Sequence, residues 1–181
     1  MAVKTFAVGE LVTASDANTY LANAGLVYVK SQTIGTGVSS VTVSNAFSAD
    51  YDAYKITITG GVGSTSVELS MRLGSATTNY RTSIIYTTYI SATPQAIVNN
   101  ANTNFQYIGR CTSSTLTFMC DIRQPFQSLP TFVTSNYVAE DASGVSNGIQ
   151  YDNTSFTAFT IFPQLGTLTG GTITVYGYRK A

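Results

Sequence analysis

The sequence predicts an all-β fold, an antiparallel β-sandwich of jelly-roll type with a short N-terminal helical arm. After the arm, alternating polar and apolar runs recur at intervals of roughly eight to twelve residues, separated by turn residues. The last run, residues 172–176, alternates Thr with β-branched residues, so Ile173 and Val175 are expected to face a core. No helical periodicity interrupts these runs. We therefore expect an arm over residues 1–25 and one sandwich domain over residues 26–181.

A short helix is predicted within the arm. Thr13 and Asp16 have the spacing of a capping box, in which each side chain bonds the backbone amide of the other residue. The helix should cover residues 14–23 and end at Gly25. A helix of this length is unstable alone in water, so it must pack on something. Its own domain and another protein are equally good candidates for that partner.

The predicted strands before the last segment share short alternation between turn residues. They cover residues 26–32, 40–43, 54–59, 66–73, 83–90, 104–108, 115–122, 132–137 and 148–151. The Gly-rich turn between residues 54–59 and 66–73 predicts a hairpin, with Glu68 and Arg72 in solvent.

The last segment, residues 155–179, predicts two strands joined by a Gly-rich connection. Its first strand carries large apolar side chains at both odd and even positions, such as Phe159 and Phe162, which is typical of a central strand. Gly166 and the Gly170-Gly171 pair provide the backbone freedom for the connection. We expect the two strands to pair as a closing hairpin.

Residues 74–104 form the least regular part of the sequence and predict long loops at one end of the sandwich. Binding sites are common on loops that a rigid sheet supports. Tyr80, Arg81, Tyr86 and Tyr89 lie in or near these loops and are the candidate ligand or partner contacts. The structural alternative is that the tyrosines are half-buried strand residues.

The charge composition limits the kinds of partner that this chain is expected to bind. The chain has nine basic and nine acidic residues, so no basic field favours nucleic acid. Charged residues make up only 10% of the chain, which suits a subunit whose surface is covered in an assembly. No apolar run is long enough to span a bilayer, and Glu10 interrupts the apolar start. We expect synthesis in a cytoplasm, without membrane insertion.

The side chains available for catalysis are few. The chain has no histidine, which removes serine triads, cysteine–histidine pairs and most zinc sites. Cys111 and Cys120 are expected to be reduced, with Cys120 in the core. The carboxylates that could pair for glycosidic cleavage are Asp50, Asp52, Asp121, Glu140, Asp141 and Asp152. The Asp50/Asp52 and Glu140/Asp141 pairs could also bind calcium, but neither comes with the further oxygen ligands that the ion needs. Turn chemistry explains Asp50 and Asp52 better, so we expect no enzyme, no metal and no cofactor.

Three segments resemble proteins of tailed bacteriophages. Residues 6–21, FAVGELVTASDANTYL, resemble the start of many small phage structural proteins, where the phrase F-x-x-G-x-x-L-T-A-S-D-x-N precedes the body. Val12 stands where that phrase has Leu. Residues 48–56, SADYDAYKI, and 170–178, GGTITVYGY, are similar to the first and last core strands of a phage β-sandwich found in tail fibres, receptor-binding proteins and head decorations.

The resemblance implies a virion subunit, usually a homotrimer, whose N-terminal segment anchors it to other virion proteins. The anchoring residues would be Phe6, Leu11, Tyr20 and Leu21. The first hypothesis is a tail fibre or minor tail protein whose loops touch a host surface glycan. The second is a capsid decoration protein, and the third is a glycan-degrading enzyme.

Overall fold

The computed structural model describes residues 6–16 and 25–180. A single helical turn, α1, covers Ala14–Asp16. The first seven strands are β1 Leu26–Thr33, β2 Val41–Val43, β3 Tyr51–Thr59, β4 Val62–Gly63, β5 Val67–Leu73, β6 Tyr80–Thr88 and β7 Gln95–Asn102. The other seven are β8 Phe105–Cys111, β9 Leu116–Arg123, β10 Thr131–Val138, β11 Ala142–Gln150, β12 Phe159–Pro163, β13 Leu168–Thr169 and β14 Thr172–Arg179.

The fold is an antiparallel all-β sandwich, as the alternation predicts. One layer has the strand order β1-β14-β3-β9-β10-β11-β6-β7, and the other has the order β2-β12-β5-β8. Strand β9 links them, because its first residues pair with β8 while the rest pairs with β3 and β10. The main core holds side chains of both layers, among them Ile56, Leu69, Phe105 and Val175. Ile173 and Val175 are fully buried, as expected.

Both predicted hairpins are wrong. Strand β12 pairs with β2 and β5, which confirms that it is central, whereas β14 pairs with β1 and β3. Likewise β3 and β5 pair with other strands instead of each other. The glycine-rich segments cross between the layers instead of turning back. A Cβ atom on Gly61, whose φ is +84°, would collide with the carbonyl oxygen of Gly170.

The loop expected after the predicted strand 83–90, over residues 91–104, contains a further strand. Strand β7 pairs with β6 in register Ile84↔Ile97 and Ser83↔Val98. Most of its side chains are exposed, so its sequence has little of the apolar alternation that marks a strand. Backbone pairing with β6, rather than an apolar pattern of its own, places β7 at this edge of the sheet.

The capping box of the arm is confirmed. The Asp16 amide donates to the Thr13 hydroxyl and the Thr13 amide donates to the Asp16 carboxylate, both at 3.1 Å. The rest of the predicted helix, residues 17–24, lies outside the described residues. Within the described part of the chain, no helix is long and apolar enough to cross a membrane.

Candidate functional site

The outer face of the larger layer carries a row of exposed hydrophobic side chains. The strand register places Met119, Asn136, Val145, Ile85 and Ala96 side by side across β9, β10, β11, β6 and β7. Each of these positions points away from the core, because its neighbours along the strand are buried or lie on the opposite face. The row contains no charged side chain.

Val98 and Val138 extend this row to both sides. We call Ile85, Val98, Met119, Val138 and Val145 the outer band, and their exposed fractions lie between 40% and 73%. Single exposed hydrophobic residues are ordinary, but a contiguous group on one sheet face marks an interaction surface. The outer band is therefore the first candidate site.

A polar cleft opens at the end of the same layer, with a volume of about 460 Å³. Its lining residues are Thr77, Thr78, Asn79, Arg81, Asn100, Ala101, Asn102, Thr103 and Tyr151. Arg81 donates from Nη1 to the Tyr151 hydroxyl at 2.9 Å, and its Cζ lies 4.6 Å from the centre of the Tyr151 ring. The guanidinium is thus held over the ring by a hydrogen bond and a cation–π contact.

A hydrogen-bond network beneath the cleft holds Tyr151 in place. The Tyr151 amide donates to the Asn79 carbonyl at 3.0 Å. The Asp152 carboxylate accepts from Asn79 Nδ2 at 2.7 Å and from the side-chain amide of the fully buried Gln150. Gln150 Oε1 in turn accepts from the Asp152 amide at 3.0 Å. The Asp152 carboxylate is therefore occupied by hydrogen bonds within the turn, and Arg81 is the charged side chain that lines the cleft.

The cleft also contains an unpaired amide. Asn102 Nδ2 is shielded from solvent and has no hydrogen-bond partner within the described residues. A buried donor without a partner costs on the order of 1–3 kcal/mol.

The four candidate contact residues do not form one site. Tyr80 is fully buried, its hydroxyl accepts from the Leu73 amide at 2.9 Å, and burial raises its pKa to about 12. Tyr86 is half-buried against a small cluster with Tyr137, while Tyr89 is exposed beyond the far end of β6. Since five residues of strand span roughly 17 Å, Tyr86 is remote from Arg81. Of the four, only Arg81 lines the cleft.

Asp141 takes part in an ion-pair network that joins both layers. Arg110 of β8 donates from Nε and Nη2 to the two Asp141 oxygens at 2.7 and 2.6 Å. Its Nη1 donates to Glu68 Oε1 at 2.7 Å. The expectation that Glu68 is simply solvated is therefore wrong. Arg110 holds the pKa of Asp141 below its ordinary value, chiefly through these hydrogen bonds.

Three of the other carboxylates considered for catalysis or calcium also have protein partners, whereas Glu140 is exposed. Asp50 accepts from Ser48 Oγ at 2.9 Å, and Asp52 pairs with Lys180 at 2.9 Å. Asp121 pairs with Lys55 at 3.2 Å and accepts from the Tyr178 hydroxyl. Across residues 6–16 and 25–180, no group of three or more acidic or cysteine side chains could hold a metal ion. Both cysteines are free, and Cys120 lies in the core as expected; Cys111 is buried as well.

The arm residues divide between the described and undescribed parts of the chain. Phe6 is half-buried, and Leu11 is 84% exposed. Tyr20 and Leu21 lie outside the described residues.

Sequence reasoning missed the outer band, Tyr151 and Asn102. The adjacent pair Ile84-Ile85 was a usable signal, because neighbouring strand residues point to opposite faces and one of them must be outside the core. No comparable signal links Tyr151 to Arg81, since 70 residues separate them and only the pairing of β6 with β11 brings them together.

Comparisons with protein-family models, with curated proteins and with solved structures find no match to this chain.

Proposed function

We propose that this chain is a structural subunit of a tailed-bacteriophage virion, a tail-fibre or minor tail protein that displays its sandwich toward the host. The observation that supports this most is the outer band, an uncharged row of exposed hydrophobic side chains on one sheet face. A subunit gains stability by covering such a face in an assembly, because each Å² of apolar surface removed from water contributes about 25 cal/mol.

The outer band is proposed as the contact between copies in a homotrimer. The central row has no charge, so identical faces can approach without like-charge repulsion. Ring closure around three copies would cover every band and leave no free face for further association.

The arm is proposed as the attachment to other virion proteins. Val8 and Leu11 are almost completely exposed and apolar, which suits a segment that a partner covers. A head-decoration protein would use the same arm and sandwich. The cleft with Arg81 favours host adhesion, because a cleft of this volume with polar groups is the usual form of a small-ligand site.

The test of the band is an Ile85→Asp variant, compared with Leu165→Asp. Both residues are exposed hydrophobics, 64% and 69%, but Leu165 lies in the connection between β12 and β13, outside the band. We expect both variants to fold by circular dichroism. The Ile85 variant should sediment as a monomer and be absent from purified particles, whereas the control should match wild type. Particles that incorporate both variants equally would overturn the role of the band.

The test of the arm is deletion of residues 1–25. The sandwich begins with β1 at Leu26, so the shortened chain should remain folded and soluble. It should no longer join particles. Collapse of the whole domain on this deletion would show that the arm is part of the fold and not an anchor.

A further inference from the structure

The cleft at the end of β6 and β7 holds one charged residue. Arg81 is exposed, and no carboxylate pairs with it among the described residues. The nearest candidate, Asp152, already accepts from two side-chain amides. Among residues 6–16 and 25–180, the hydrogen-bond partner of Arg81 is the Tyr151 hydroxyl, which Nη1 contacts, so the other N–H groups are available to an anion.

The geometry of Arg81 is preorganised for a planar anion. The hydrogen bond and the cation–π contact hold the guanidinium against Tyr151, and the bond from the Tyr151 amide to the Asn79 carbonyl holds the Tyr151 backbone. A carboxylate matches two parallel N–H donors of a guanidinium, which gives a stronger and more specific contact than a point charge. Little side-chain entropy is lost on binding when the arginine is already held.

The rest of the cleft is rich in hydrogen-bonding groups and poor in hydrocarbon. Thr77, Thr78, Asn100 and Thr103 present hydroxyl and amide groups, and Ala101 is the one aliphatic side chain in the lining. This lining suits a ligand covered with hydroxyl groups better than an apolar peptide. A single cation is also too little for a nucleic-acid strand.

We propose that this cleft binds an acidic saccharide, with the sugar carboxylate on Arg81, a sugar hydroxyl on the exposed side chain of Asn100 and the sugar ring against the exposed part of Tyr151. The volume of about 460 Å³ lies in the usual range for small-ligand sites. This assignment names the class of ligand for the proposed adhesive function. It rests on that function only for the biological source of the saccharide, the host surface. The binding itself is a property of the isolated chain.

The experiment is a titration of the isotope-labelled full chain with trigalacturonate, followed by nuclear magnetic resonance. We expect saturable shifts of the Asn100 side-chain amide and of the Arg81 and Tyr151 backbone amides. Arg81→Met should weaken binding about ten- to hundredfold, the loss expected for a charge-assisted hydrogen-bond pair. Tyr151→Phe should weaken it less, since the ring stays while the hydroxyl that holds Arg81 is removed.

The matched control is Arg123→Met. Arg123 is also exposed and lies over an aromatic ring, 5.6 Å from the Phe132 centroid, but it lies outside the cleft. Its variant should bind like wild type. Neutral trigalactose should bind at least tenfold more weakly, and glycerol phosphate should not compete with trigalacturonate. Equal binding of the neutral sugar, preference for the phosphate, or no binding of trigalacturonate would each overturn the assignment. The titration needs no virion particle. A negative result would therefore overturn the saccharide site without deciding the outcome of the assembly test with Ile85→Asp.

Discussion

Asp141→Asn tests how the sandwich is tied together at its polar edge. Arg110 makes two hydrogen bonds to Asp141 and one to Glu68, so it connects β8 with β5 and with the turn before β11. The substitution keeps the shape of the Asp141 side chain but removes its charge and one of the two acceptors. Arg110 keeps its contact with Glu68 and is only 15% exposed, so it cannot regain full hydration.

The expected cost follows from the partial burial. A hydrogen bond between charged groups contributes about 1.5–3 kcal/mol, but Asp141 is 37% exposed and solvent screening reduces that figure. Asn can still accept one bond. We therefore expect a loss of about 1–2 kcal/mol in the free energy of unfolding at pH 7. For a domain of this size that corresponds to about 2–8 °C in melting temperature.

Urea unfolding at several pH values measures this loss and its cause. Because the folded pKa of Asp141 lies below the ordinary 3.8, the stabilisation is present above that value and is lost as the pH falls through the folded pKa. The free energies of wild type and variant should therefore converge in acid. Asp52→Asn, which breaks an exposed pair with Lys180, is the control and should change nothing measurable. A variant as stable as wild type at pH 7, or a loss that persists unchanged in acid, would refute the reasoning.

Three further predictions concern the core. Burial raises the pKa of Tyr80 and Tyr137 to about 12, so absorbance at 295 nm should show both protonated at about pH 11, and their ionisation at that pH without unfolding would contradict this. The stability that the two protonated hydroxyls contribute should be fully present below the ordinary tyrosine pKa of about 10 and should be lost as the pH rises from there through about 12. Burial also raises the pKa of Cys120, so it should react with a thiol reagent only after unfolding, and fast reaction in the folded chain would show that it is accessible. Gly148→Ala would place a Cβ 2.6 Å from the ring of buried Phe105 and should cost about 1–3 kcal/mol in urea unfolding, so an unchanged midpoint would mean that the ring can move aside.

The fold class could be predicted because alternation is local. Ile173 and Val175 are buried, and β12 is central, as their neighbours in the sequence indicate. The partner of each strand could not be predicted this way. The Gly170-Gly171 pair has the backbone freedom for a tight hairpin, yet it carries the chain from one layer to the other. Turn residues permit a change of direction, but contacts far apart in the sequence decide where the strand goes.

Only part of the candidate site could be predicted from the sequence. Arg81 could be proposed because it lies among tyrosines in an irregular stretch. Tyr80, its neighbour, points into the core, since adjacent residues of a strand face opposite ways and β6 starts at that position. Asn102 and Tyr151 reach Arg81 only through the pairing of β6 with β7 and β11, which no local pattern specifies.

The most direct test of the proposed role is cryo-electron microscopy of purified phage particles that carry this chain. We expect density for the sandwich on the tail, in groups of three, with the outer band covered by neighbouring copies and the Arg81 cleft open to the outside. A chain that is found free in the lysate and missing from the particle, or a band that faces solvent in every copy, would contradict the proposal.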